Sequence, residues 1–264
     1  MTVRGRPEND DWNRHWEAFG DAVSGNPATA YRCRLILEAL GHVQSDAVIL
    51  EIGCGQGEFT LMLAETFPQA DVRGIDNSAE GIERAVRYAH ARRLSVDFAQ
   101  RDLLEKVQLD DSHRNAATLA VCSEVLEHVD EPEVLLRNAA DYLAPRCRLV
   151  VTVPGGPRSA FDRHIGHRRH FTAIRLRRLL EQSGFEDVTV RRAGFPFFDL
   201  YRLVVIARGR RLIADVEESK SELGSGTSGT ALRFFDRAFR YNWDSSPFGW
   251  QLLAVARRPE DPPS

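Results

Sequence analysis

The run Val48-Ile49-Leu50-Glu51-Ile52-Gly53-Cys54-Gly55-Gln56-Gly57-Glu58-Phe59-Thr60 limits what this chain can fold into more than any other stretch. It opens as a short apolar run behind the polar Ser45-Asp46, the mark of a buried strand. Glycines follow at alternate positions 53, 55 and 57, and then Phe59, Leu61, Met62, Leu63 and Ala64 at helical spacing. Strand, glycine-rich turn and helix in that order make the place where an open α/β sheet lets a ligand reach bare backbone. Any Cβ there would hold the ligand off the main chain.

Downstream the same alternation recurs. Residues 70–76 read as a second strand ending in the acid Asp76, with Ser78 placed to cap a helix over 79–92. A third strand, 95–99, leads to Gln100-Arg101-Asp102. A fourth, 117–122, runs into Ser123-Glu124-Val125-Leu126-Glu127-His128. A helix over 131–143 and a fifth strand over 148–153, closed by Pro154-Gly155-Gly156-Pro157, complete a pattern that predicts a doubly wound, mainly parallel sheet. Upstream, residues 1–10 carry no ordering pattern, and 11–42 read as two helices broken at Ser24-Gly25-Asn26-Pro27. Trp12, Trp16 and Phe19 share one face of the first. Tyr31, Leu35, Ile36 and Leu40 line the second before Gly41 stops it. Core packing and a lid over the ligand are both open to them.

The last third is less regular. Residues 158–171 form a polar, His/Arg-rich loop, 172–183 a helix ending at Gly184, and 188–192 a strand. Residues 194–214 are apolar and helical in pattern, 217–230 have the composition of a mobile loop, and Trp250 to Ala256 read as a final strand.

Composition excludes little. Hydrophobic residues make up 43% and charged residues 28% of the 264, as in ordinary globular proteins, and a net charge of −3 gives no drive towards DNA. Cys33, Cys54, Cys122 and Cys147 lack ligand-like or disulfide-like spacing, which fits free thiols in a reducing cytosol. The charged start, without an apolar core, does not read as a signal peptide, and no run reaches the roughly 18–20 apolar residues of a membrane span. The expected location is cytoplasmic. The oligomeric state is not legible.

A nucleotide-type ligand at such a turn needs an acid near the end of the next strand to accept from ribose hydroxyls. Asp76 stands there, 19 residues beyond Gly57, and Asp102 at the third strand end could accept from an adenine amino group. The spacing Gly53-x-Gly55-x-Gly57 is not the dinucleotide fingerprint, and Glu58 would repel a phosphate brought close, so an adenosine cofactor without phosphates fits better. At this point the chain resembles the class I S-adenosylmethionine-dependent methyltransferases. The stretches that carry the likeness are 50–57, Gly74-Ile75-Asp76-Asn77-Ser78, Arg101-Asp102-Leu103, 123–129 and Leu143-Ala144-Pro145.

The resemblance implies a Rossmann-like α/β fold: a doubly wound seven-stranded sheet with helices on both faces and the last strand, Trp250 to Ala256, antiparallel. It implies one methyltransferase domain over 1–264, made of a helical cap (1–44), a cofactor-binding core (45–193), a lid and acceptor excursion (194–247) and the final strand (248–258). It also implies that Gly53, Gly55 and Gly57 approach S-adenosylmethionine, Asp76 binds ribose, Glu51 organises the aminopropyl carboxylate end and Asn77 flanks adenine. Asp102 would bind the adenine amino group with Leu103 beside it, and Cys122 and Ser123 would line the sulfonium end. Asn26-Pro27 with Tyr31-Arg32 is similar to the segment where quinone O-methyltransferases place an arginine on the cofactor carboxylate, which nominates Arg32.

Methyl transfer is an in-line displacement at an activated carbon, so much of the catalysis can be positioning. A hydroxyl acceptor also needs a base or a metal to take its proton. If residues 124–128 are helical, Glu124, Glu127 and His128 share a face at i, i+3 and i+4, a set suited to Mg²⁺ or Mn²⁺. Quinone-ring and small-RNA 2′-O-methyltransferases hold a divalent cation on a similar segment, the latter with a distant histidine, for which His167 is the candidate. The same motif occurs in methyltransferases without any metal, so metal dependence stays open. The loop Arg163-His164-Ile165-Gly166-His167-Arg168-Arg169-His170-Phe171-Thr172 is similar to a segment of bacterial glycan- and lipid-pathway methyltransferases. There His167 or His170 would be the base and Arg168 or Arg169 would grip an anionic acceptor, or the side chains would brace the loop. His128 is the third candidate base. The apolar stretch 194–206 reads by default as core packing, and its place in the excursion suggests a greasy or aromatic acceptor, or a peripheral membrane contact. The expected function is methyl transfer to a small or lipid-like acceptor, at oxygen. RNA 2′-O-methylation, prompted by nine arginines against four acids between Arg158 and Arg192, and a non-catalytic binding protein are the alternatives.

Overall fold

The computed structural model describes the backbone of residues 26–106, 108–218 and 227–260, with side chains up to 209 and again from 233. The expected helix carrying Trp12, Trp16 and Phe19 lies outside the described residues. The chain then runs α1 (Pro27–Leu40), β1 (Val48–Ile52), α2 (Glu58–Thr66), β2 (Asp71–Asp76), α3 (Ala79–Arg92), β3 (Asp97–Gln100), β4 (Ala117–Ser123) and α4 (Pro132–Ala139). It continues through β5 (Leu143–Pro154), α5 (Ala160–His164), α6 (Ala173–Gln182), β6 (Glu186–Ala193), α7 (Phe197–Glu218), α8 (Thr227–Ala238) and β7 (Gln251–Arg257).

Local chemistry sets most boundaries. Asn26 caps α1 by accepting from the Ala28 amide at 2.9 Å, Pro27 occupies the first turn where its missing N–H costs nothing, and Gly41 closes the helix at φ +65°. Ser78 caps α3 through the Gly81 amide at 3.0 Å. The strands form one sheet in the order β3-β2-β1-β4-β5-β7-β6, parallel except for β7, which runs antiparallel to both neighbours. Alternate side chains of the central strands feed two apolar layers. Leu50, Val151 and Leu252 face α4 and α6, while Ile49, Val150 and Leu253 face α1, α2 and the aromatic residues of α7 and α8. Burial on both faces explains why these strands read as unbroken apolar runs.

Several expectations are corrected. Residues 124–128 are not helical: Glu124 has φ +56° and the segment is a turn, so Glu124, Glu127 and His128 do not share a helix face at i, i+3 and i+4. The loop 158–171 contains α5, started by a capping box in which the Ser159 hydroxyl accepts from the Asp162 amide and the Asp162 carboxylate from the Ser159 amide. The helix over 131–143 ends at Ala139 and finishes as a single 3-10 turn. Of the expected mobile loop, 217–218 and 227–230 are helical backbone, and 219–226 lie outside the described residues. Gly209, at φ 44° and ψ −117°, breaks α7. Among the described residues no helix is long and apolar enough to cross a membrane.

Candidate functional site

Register brings the chemistry to one edge. Ile52 pairs with Ile75 on one side and Cys122 on the other, Asp76 pairs with Gln100, and Ser123 with Thr152, so the glycine turn, Asp76, Asp102 and residues 123–128 leave the sheet together at its carboxyl edge. In a doubly wound sheet this is where ligands bind.

Asp76 organises the turn. One carboxylate oxygen accepts from the Gly55 amide at 2.9 Å and the other from the Ser78 amide at 2.8 Å. Burial pushes its carboxyl up, against the pull of these amides. The Gly53 and Cys54 amides both donate to the Ile75 carbonyl, at 2.8 and 3.0 Å, which locks the turn against β2. Gly57 has φ +80°, and a Cβ there would stand 2.8 Å from the Ala85 Cβ and 2.9 Å from Phe98 Cζ. Only glycine fits. Behind the turn, buried Glu51 accepts from the Thr60 hydroxyl, and burial pushes its carboxyl up to about 8.

A cavity of about 160 Å³ opens beside this turn. Gly53, Asp76, Asn77, Asp102 and Leu103 form one wall, and Glu124, Val125, His128 and Arg168 the other. Asp102 accepts from the Leu104 amide at 3.0 Å, so both acids, Asp76 and Asp102, are held by backbone amides, and the Gln100 side chain donates to the Asn77 carbonyl at 3.1 Å. The structure therefore brings together Gly53, Asp76, Asn77, Asp102 and Leu103 as the sequence suggested. Glu51, Gly55 and Gly57 stand outside the cavity lining. Cys122 is fully buried in the core and also stands outside this lining. Arg32 donates to Thr29 at 3.1 Å and lies 4.0 Å from Glu124, reaching the cavity only through that residue.

The three candidate histidines do converge. The Glu127 carbonyl accepts from the amides of Arg168 and Arg169, at 2.8 and 3.4 Å, and Arg168 also pairs with Asp130, which straps the loop after β5 to the turn after β4. The His128 and His167 rings meet edge-on with centroids 4.6 Å apart, and His167 Nδ1 lies 3.2 Å from His170 Nε2. His170 Nδ1 lies 3.1 Å from the Gly156 carbonyl, which can only accept, so Nδ1 carries the proton. His170 Nε2 is then the acceptor for His167 Nδ1–H, and the lone pair of His167 Nε2 is left towards Glu127, 4.0 Å away. Burial, with His128 alongside, pulls the His167 imidazole down to about 2, and burial also lowers His170, so both rings are neutral and this tautomer chain is self-consistent.

Glu127 is fully buried, and among the described residues neither carboxylate oxygen has a hydrogen-bond partner. Burial, with Glu124 nearby, pushes its carboxyl well above the usual range. Ligand atoms of Glu127, His128 and His167 lie within 4.8 Å of one another, a donor set that fits a divalent cation. Glu124 is not part of it: its carboxylate accepts from Gln251 at 3.0 Å and faces Arg32. Two residues of this neighbourhood escaped the sequence reading. Asp162 was signalled by the Ser159-x-x-Asp162 capping pattern. Arg202, which donates to both Asp162 oxygens, carries no local sequence signal.

Residues 28–190, more than half of the chain, match a family model described as a methyltransferase domain. A ubiquinone biosynthesis O-methyltransferase from Actinobacillus pleuropneumoniae is 32% identical over 98 residues, covering 37% of this chain and 41% of that protein. The chain spans from a third to about half of the length of the curated relatives it matches. Among solved structures, phosphoethanolamine N-methyltransferase 2 of Haemonchus contortus, in complex with S-adenosyl-L-methionine, superposes with a TM-score of 0.58 at 18% identity, covering 86% of this chain and 52% of that one. The [4+2]-cyclase SpnF superposes with a TM-score of 0.62 at 18% identity over 98% of this chain and all of that one, so at this level of identity the fold is shared while the named reaction is not. By the family match and by its seven-stranded architecture, the chain belongs to the methyltransferase-domain family.

Proposed function

We propose that this chain transfers a methyl group from S-adenosylmethionine to a small-molecule acceptor, with oxygen as the favoured acceptor atom. The observation that carries the reading is the double hold of Asp76 on Gly55 and Ser78 at a cavity also walled by Asn77, Asp102 and Leu103. Asp76 retains lone pairs for two ribose hydroxyls, Asp102 for an exocyclic amine, and Glu58 in the first turn of α2 leaves no welcome for a pyrophosphate. The bound cofactor would supply a methyl carbon made electrophilic by a positive sulfur.

In this reading 45–193 carry the cofactor and 194–247 the acceptor side, within one cytoplasmic domain. Glu51 braces the glycine turn from below, and Arg32 with Glu124 faces the amino-acid end. His128 lines the cavity and so becomes the favoured base: it takes the acceptor proton as the new C–O bond forms and the methyl–sulfur bond breaks. His167 and His170 stand behind it and fix its ring. Relatives named for O-methylation in ubiquinone biosynthesis support oxygen as the acceptor atom. The RNA alternative loses its motive, because Arg158, Arg168, Arg169, Arg177 and Arg192 are engaged by carbonyls or carboxylates of the protein itself. Calorimetric titration tests the reading: S-adenosylhomocysteine should bind with measurable heat and NAD should not. Absence of heat with S-adenosylhomocysteine removes the proposal.

A divalent cation on Glu127, His128 and His167 is a second reading, in which His128 would be a ligand and not the base; it is favoured by the unpartnered buried carboxylate of Glu127. Such a cation would lower the pKa of an acceptor hydroxyl. Titration with Mn²⁺, read by its electron paramagnetic resonance, should show one bound ion that Glu127→Gln abolishes; no uptake by the native protein removes this reading.

A further inference from the structure

Exposed apolar side chains are not spread evenly. Of the ten large hydrophobics exposed among the described residues, seven fall between positions 200 and 248: Leu200, Leu203, Val204, Phe234, Tyr241, Trp243 and Phe248. Scattered single residues of this kind need no explanation, but a concentration of aromatic ones does. At the end of α8 the two sides of the helix part company. Phe235, Ala238 and Phe239 turn inward, where Phe235 and Phe239 meet Tyr201 and Phe239 also meets Tyr31. Phe234 and Tyr241, at i and i+7, turn outward and are 56% and 74% exposed.

The outward face is also basic. Arg233, Arg237 and Arg240 follow at i, i+4 and i+7, all exposed, against the single acid Asp236. Arg233, Phe234, Arg237 and Tyr241 line one open groove with Phe197 at the start of α7. A segment with net charge +2 thus stands on a chain whose net charge is −3. Immediately beyond it, Trp243, 56% exposed, pairs with Phe195 through an isolated β-bridge and packs against its ring at a tilt, with centroids 5.4 Å apart, which ties the groove to the end of β6 and therefore to the carboxyl edge that bears the cavity.

We infer that the groove at the end of α8, lined by Arg233, Phe234, Arg237 and Tyr241 and flanked by the exposed Arg240 and Trp243, docks on an anionic lipid bilayer surface. Aromatic rings belong at the boundary between headgroups and acyl chains, and arginines on the same face lay their apolar stems along that boundary while their heads meet phosphates. Charge decides against a second copy of this chain: a two-fold interface would set these arginines against themselves. The inference goes beyond methyl transfer and does not depend on it.

Flotation of the full chain with vesicles tests the docking. The native protein should rise with vesicles of equal parts phosphatidylglycerol and phosphatidylcholine, and stay at the bottom with phosphatidylcholine alone. It should also stay there with the anionic vesicles at about 1 M ionic strength, where screening acts within about 3 Å. R233E/R237E should lower partitioning by roughly 25-fold or more, at about fivefold for each lost arginine, and F234S/Y241S should lower it without changing the salt dependence. Unchanged thermal midpoints would establish that both variants fold. Failure of the native protein to float, or flotation of both variants at the native level, overturns the inference. So does a lipid-free dimer in sedimentation velocity that the same variants dissociate, which would assign the face to a second copy. Because S-adenosylhomocysteine binding is read separately, loss of one result leaves the other standing.

Discussion

The guanidinium of Arg202 on α7 meets both carboxylate oxygens of Asp162 on α5, at 2.8 and 2.9 Å, and so joins the segment after β6 to the histidine cluster. Asp162 is fully buried and lies 3.9 Å from His167 Nδ1 and from His170 Nε2. Burial alone would raise its carboxyl, but Arg202 and the Ser159 amide outweigh that and hold it below the usual carboxylate range. Arg202→Met leaves an uncompensated buried charge and should cost about 3–5 kcal/mol in denaturant unfolding. Arg202→Met with Asp162→Asn should recover most of that loss. Equal stability of the single and double variants would show that the pair is not coupled.

Asp76 should be the most sensitive position for cofactor affinity. Asp76→Ala removes the acceptor for both the Gly55 and Ser78 amides as well as the ribose contacts. With charged hydrogen bonds worth about 1.5–3 kcal/mol each, S-adenosylhomocysteine affinity should fall roughly 100-fold or more by calorimetry. Asp76→Asn, which keeps the shape, should lose less. A weakening below a few-fold in Asp76→Ala would place the ribose elsewhere.

Gly57→Ala should destabilise the fold by about 1–3 kcal/mol, the cost of a side chain held in a left-handed conformation. The crowding by Ala85 and Phe98 adds to it. Thermal unfolding reads the loss directly. A native midpoint would mean the turn relaxes into another conformation.

The sheet was legible because each strand and cap is a local pattern. The apolar run before Gly53, the acid at Asp76 and Ser78 as helix cap all act within a few residues of themselves, and the structure keeps them where periodicity put them. The histidine cluster was legible as a list of residues but not as a geometry. Spacing assigned Glu124 to the face of Glu127, yet a positive φ at Glu124 swings it to Gln251, which is 127 positions away in the chain. Arg202 and Asp162 are 40 positions apart, and no local pattern announces such a pair. What the sequence hid is long-range pairing of buried charge, which depends on how layers stack and not on propensity.

Opposed titrations should make the native pH–stability curve shallow in the acid range, and single variants should expose them. His167 is neutral in the fold down to about 2, whereas the unfolded chain takes up its proton near the ordinary value of about 6.5. Between these values the unfolded state binds more protons, so this group's contribution is present above pH 6.5 and is lost as pH falls below it, at up to about 1.4 kcal/mol per pH unit. Glu127 has the opposite sign. Its carboxyl stays protonated in the fold well above the unfolded value of about 4.3, so the folded state binds more protons and stability falls as pH rises through that value.

Glu127→Met replaces that orphaned carboxyl with an apolar side chain of similar length. Relief of an unpartnered buried polar group should stabilise the protein by about 1–3 kcal/mol near neutral pH. The gain should grow as pH rises from about 4.3, while the His167→Gln gain grows as pH falls from about 6.5. Methyl transfer should fall in Glu127→Met even though the fold is firmer, because the fold bears the cost of this carboxyl for the sake of the site. Urea midpoints across pH 4.5–8 together with turnover of S-adenosylmethionine would check both halves. A variant that is less stable than the native protein, or one that keeps full turnover, would show that Glu127 is held for packing alone.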